Sequence, residues 1–96
     1  MGDVVQVEPR EGSYLNEWRA VQYAVGDWQV IKRLLRPLGF HVWVDLADES
    51  GPVLVVLRGL VTLYAAEEDW IVISPHDKVI IMDHLTYVDQ FMEVVE

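Results

Sequence analysis

The sequence predicts an α+β domain: a mainly antiparallel sheet of five or six strands, one long helix at about 27–38 and one short C-terminal helix at about 84–91. Three observations carry that expectation. Runs of branched and aliphatic residues recur at 40–46, 53–57, 60–64, 70–73 and 78–83, each bounded by turn-forming residues, which is the signature of hairpin-connected strands. Only Trp28, Ile31, Leu34, Leu35 and Leu38 sustain a long apolar stripe at helical period, with Gln29, Lys32, Arg33 and Arg36 facing water. The chain has 96 residues, enough for one domain that buries somewhat above roughly 60% of its unfolded surface.

Taken in order, residues 1–12 read as a flexible arm, because the alternating Val4, Val5 and Val7 are stopped by Pro9 and Gly12. Residues 13–96 form the single α+β domain. Between 14 and 28 two patterns compete: Tyr14, Trp18, Val21, Val25 and Trp28 fall at helical spacing, while Trp18-Arg19-Ala20-Val21-Gln22-Tyr23 suits a strand. Gly26-Asp27 favours a strand ending near residue 24, with Asp27 as N-cap of a helix starting at Trp28. Pro37 and Gly39 stop that helix, and its terminal bases complement the dipole. Arg58-Gly59 is a two-residue hairpin loop, Glu67-Glu68-Asp69 and Ser74-Pro75-His76-Asp77 are further turns, and Leu85, Tyr87 and Phe91 mark the last helix. Residues 53–57, 70–73 and 79–82 do not alternate with polar ones, so both faces of the sheet's centre need cover. A homodimer or a docked partner would supply it.

Composition narrows the function. Hydrophobic residues are 52% and charged residues 24%, and there is no Cys, which removes disulfides, thiolate catalysis and Cys-bearing zinc sites. No run reaches the length of a membrane span, and Met1-Gly2-Asp3-Val4 lacks the features of a signal peptide, so a soluble intracellular protein is expected. Residues 1–36 balance five acids with five bases, whereas residues 37–96 set eleven acids against Arg58 and Lys78, which accounts for the whole net charge of −9. Such a surface repels phosphate backbones and anionic lipid and attracts a basic protein face; it also keeps an apolar protein soluble.

No catalytic constellation is legible. The serines Ser13, Ser50 and Ser74 lack a nucleophile elbow, and the paired carboxylates Asp48/Glu49 and Glu67/Glu68 fall in polar turns, where solvation rather than acid–base work is expected. His76-Asp77 and Asp83-His84 bracket one strand without metal-ligand spacing, and His41 reads as a strand residue. No enzyme activity, metal or cofactor is expected. The acidic turns remain: Asp45, Asp48, Glu49, Glu67, Glu68 and Asp69 would meet at one end of the sheet as a partner-binding patch, or are simply solvated.

Several of these segments taken together resemble a group of small tailed-bacteriophage proteins of undefined function. The shared features are the strand at 18–23, the Gly26-Asp27 helix start, Leu57-Arg58-Gly59, Asp69-Trp70-Ile71-Val72, and Tyr87-x-x-x-Phe91 followed by Met92-Glu93-Val94-Val95. The likeness runs from 17 to 95. Departures are Ala66-Glu67-Glu68-Asp69 in place of a P-G-D turn, Asp77-Lys78 in place of G-E, and Val94 in place of Pro. Asp-Trp and the aromatic pair have structural jobs, plugging the core and stapling the last helix. The resemblance implies a phage origin and an accessory role in the host cytoplasm, and transfers no active site. Together with the small size, the segregated acidity and the lack of catalytic groups, it leads to the expectation of a protein that binds and inhibits a host protein with a basic surface, a nucleic-acid-handling defence complex of the anti-CRISPR or anti-restriction type. Two other classes stay open: a virion or assembly component forming a homo-oligomer, and a sponge for a signalling nucleotide.

Overall fold

A computed structural model describes residues 4–10, 18–46 and 51–94. In chain order the elements are β1 (Val5–Pro9), β2 (Trp18–Gln22), α1 (Trp28–Leu35), β3 (His41–Asp45), β4 (Val53–Arg58), β5 (Val61–Ala65), β6 (Trp70–Ile73), β7 (Val79–Met82), α2 (His84–Gln90) and β8 (Phe91–Glu93). The class is α+β, as the sequence predicts. The strands, however, divide into two antiparallel sheets: five strands in the order β7-β6-β2-β1-β8, and three in the order β3-β4-β5.

Several boundaries differ from the expectation, each for a local reason. The long helix is eight α-helical residues followed by a 3-10 turn at Arg36–Leu38, because Pro37 has no N–H to continue the ladder. Gly39 at φ +89° then ends it. Asp27 precedes α1, but its side chain makes no capping hydrogen bond. The region 18–22 is a strand, and within the supposed arm residues 5–9 form β1, which pairs with β2 on one side and β8 on the other and buries Val7. The last helix stops at Gln90, and Phe91 begins β8. The β4–β5 hairpin turns on Gly59-Leu60, since Arg58 pairs with Val61. Gly59 takes φ +61°, the conformation that a two-residue hairpin demands at its first central position.

Two apolar clusters lie on opposite faces of the five-stranded sheet. The larger joins it to the three-stranded sheet and α1 through Val21, Tyr23, Ile31, Leu35, Phe40, Val42, Leu54, Val56, Ile71 and Ile73. The smaller packs α2 onto the far face through Val7, Ala20, Val72, Tyr87 and Phe91. The unalternating strands β6 and β7 are thus covered on both sides within one chain. Strand β4 sets Leu54 and Val56 in the larger cluster and buries Val55 on its other face.

Candidate functional site

Alternation along β3 sends Val42 and Val44 into the core and leaves His41, Trp43 and Asp45 on the outer face of the three-stranded sheet. On β5, Leu63 and Ala65 point inward, and Thr62 and Tyr64 outward. Register then aligns Trp43 with Val55 and Val55 with Tyr64 across the three strands. Trp43 and Tyr64 flank Val55 in the register; Val55 is only 3% exposed, while they remain 41% and 64% exposed themselves. Val55 belongs to neither apolar cluster, and neither described helix lies over it. This cross-strand ladder is the largest aromatic surface that the three-stranded sheet presents.

Opposite charges mark the two ends of that face. Asp45 pairs with Val53 and Ala65 with Leu54, so Asp45 and the turn at 66–69 sit at the same end. Asp48 and Glu49 lie outside the described residues. The acidic turn is firmly built: the Asp69 carboxylate accepts from the Ala66 N–H at 2.9 Å, the Tyr23 N–H donates to the Asp69 carbonyl at 2.8 Å, and the Glu68 N–H donates to the Tyr23 carbonyl at 2.9 Å. The Gln22 amide also donates to the Glu68 carbonyl at 3.0 Å. Asp69 therefore holds the turn, whereas Glu67 and Glu68 project into solvent. Glu67 acts on its surroundings: burial chiefly, and this carboxylate next, raise the Tyr23 hydroxyl above its ordinary acidity range.

At the opposite end, His41 pairs with Leu57 beside Arg58. The Arg58 guanidinium sits 4.3 Å from the Phe40 ring centroid and donates to the Leu38 carbonyl at 3.3 Å. Next to it a groove of about 490 Å³ runs between α1 and β3, lined by Lys32 and Arg36 on one wall and His41 and Trp43 on the other. A second hollow of about 300 Å³ continues over Trp28, Lys32, Arg33 and Arg36. In the sequence these three bases complement the helix dipole, and phosphate contacts are scarce outside them. Their meeting with His41 and Trp43 depends on the short 37–40 connection, which turns β3 back alongside α1.

No family model, curated protein or solved structure matches the chain. The site rests on its own geometry.

On the far face of the five-stranded sheet the aromatic staple is present in detail. Trp70 stacks on Tyr87 with centroids 3.8 Å apart, Tyr87 on Phe91 at 6.1 Å, and Trp18 packs against Phe91 at 5.2 Å. The Trp70 indole N–H donates to His84 Nδ1 at 3.1 Å, and Arg10 Nε donates to the Val88 carbonyl at 2.8 Å, tying β1's end to α2. A hollow of about 650 Å³ adjoins this stack, with Trp18, Ile80, Met82 and Phe91 among its walls. Its charged groups are Arg10, already bonded to Val88, and Asp89. His76 and His84 do not meet: among the described residues no three His, Cys, Asp or Glu side chains cluster as metal ligands would.

Proposed function

We propose that this protein is a binding protein, not an enzyme, and that it engages a partner protein with a basic surface through the outer face of the three-stranded sheet. The Trp43–Val55–Tyr64 ladder, which crosses the strands between the acidic and basic ends, carries the reading. Exposed, rigid aromatic rings anchor protein interfaces, and the neighbouring carboxylates steer a cationic face towards them. Glu68 adds support because it holds φ +78°, a conformation that suits glycine far better than a side chain. A charge kept at a conformationally unfavourable turn position is the kind of local cost that functional sites bear. In a phage setting, which the sequence resemblance implies, the partner is a host defence protein that handles nucleic acid, since its nucleic-acid face is basic.

The test is affinity capture from host lysate with the natural protein and two variants, E67K/E68K and W43A/Y64A, followed by mass spectrometry. A basic protein retained by the natural chain and lost by both variants supports the mechanism; equal retention by all three overturns it.

A second reading uses the same face. Its two ends carry opposite charge, so a two-fold axis through the aromatic ladder would set the acidic end of one copy against the basic end of another. A virion or assembly component would use the face in that way. Sedimentation of a dimer that W43A/Y64A dissociates would favour this reading over capture of a foreign partner.

A further inference from the structure

We infer that the groove between α1 and β3 is a nucleotide site, in which Lys32 and Arg36 hold a phosphate and Trp43 stacks on the base. The inference shares Trp43 with the partner-binding reading but needs the basic end of the sheet and not the acidic turn. Arg36, the C-cap of α1, donates its backbone N–H to the Lys32 carbonyl, so the two side chains sit one turn apart on a single face, and both line the groove. Neither forms an ion pair with a carboxylate among the described residues, and the only aromatic contact of Lys32 is with Trp28, 5.6 Å from the ring centroid. Their charge is available to a ligand. The negative end of the α1 dipole lies nearby and amounts to about half a charge, which Lys32, Arg33 and Arg36 outweigh.

The opposite wall supplies the second half of the chemistry. His41 offers ring nitrogens, and Trp43, a residue 41% exposed, lines the groove beside it. Stacking between a base and an aromatic ring needs no sequence readout and suits any nucleobase. A volume of about 490 Å³ falls within the range of small-ligand clefts. The rest of the molecule decides the ligand's size. With a net charge of −9, a long polyanion leaving this groove would run into repulsion, whereas a single nucleotide confines its charge to the basic patch.

Calorimetric titration of the full chain at low salt tests the site with adenosine 5′-monophosphate, adenosine, inorganic phosphate and decathymidylate. The nucleotide should bind with a sub-millimolar Kd, and adenosine and inorganic phosphate should each bind at least tenfold more weakly. K32E/R36E should lose at least tenfold in affinity while keeping its circular dichroism spectrum, and R36A provides a milder check. W43A should weaken the nucleotide at least fivefold and leave inorganic phosphate unchanged. E67K/E68K, at the other end of the sheet, should leave nucleotide binding intact even if it abolishes partner capture. The inference fails if the folded protein takes up no nucleotide at millimolar concentration, if K32E/R36E binds as the natural chain does, or if decathymidylate binds where the mononucleotide does not.

Discussion

Tyr87 is held by its ring and penalised by its hydroxyl. The ring stacks on Trp70 at 3.8 Å, but the hydroxyl is buried and finds no hydrogen-bond partner among the described residues. An unsatisfied buried polar group costs about 1–3 kcal/mol, so Y87F, which keeps the stack, should raise the unfolding free energy by about 1–2 kcal/mol in urea titration. Burial, and secondarily the Glu93 carboxylate, pushes the Tyr87 acidity from 10.0 up to about 12. The folded state therefore keeps this proton to higher pH than the unfolded chain does. Its contribution is fully present below pH 10 and is lost as pH rises from 10 towards 12. Y87F should lack this part of the alkaline decline, and identical alkaline profiles for the two proteins would refute the assignment.

At the scale of elements, α2 is too short to stand alone and depends on its ends. Asp83 caps it, the carboxylate accepting from the Thr86 N–H at 2.7 Å. That backbone bond, with further help from the Thr86 hydroxyl, lowers the Asp83 acidity below its usual value. The stabilisation is present above the unfolded carboxyl's pKa and disappears as pH falls through the lower folded value. D83A should thus melt below the natural protein at neutral pH and converge with it in acid, while D83N, which can still cap, should lose less. Much at this scale is legible in the sequence: β3 to β7 are runs rich in branched and aromatic residues between turn residues, and α1 carries a clear apolar stripe. Short elements are not. The five residues of β1 and the three of β8 carry too little pattern of their own; β1 is secured between β2 and β8, and β8 pairs with β1 alone. Phe91 keeps the spacing of a helix while belonging to a strand. Likewise the Trp43–Tyr64 ladder and the Lys32–His41 groove arise from register and packing between segments, which no periodicity reveals.

For the whole molecule, the division of strands into two sheets is the feature that the sequence hides most completely. A single sheet would pair sequential strands, yet β2 pairs with β6 across some fifty residues of chain. The larger cluster welds both sheets to α1, so they should unfold together. Ile31 is fully buried in it, and I31A should cost about 2–5 kcal/mol in a single transition seen alike by far-ultraviolet dichroism and tryptophan fluorescence. Two separate transitions would mean that the three-stranded sheet melts independently. The opposed charges at the ends of that sheet also reach beyond stability. A body carrying a positive pole and a negative pole rotates in the field of whatever it approaches, so collisions arrive already aimed. Added salt would then slow association strongly, while the lifetime of the resulting complex, set by the tryptophan and tyrosine between the poles, would scarcely change.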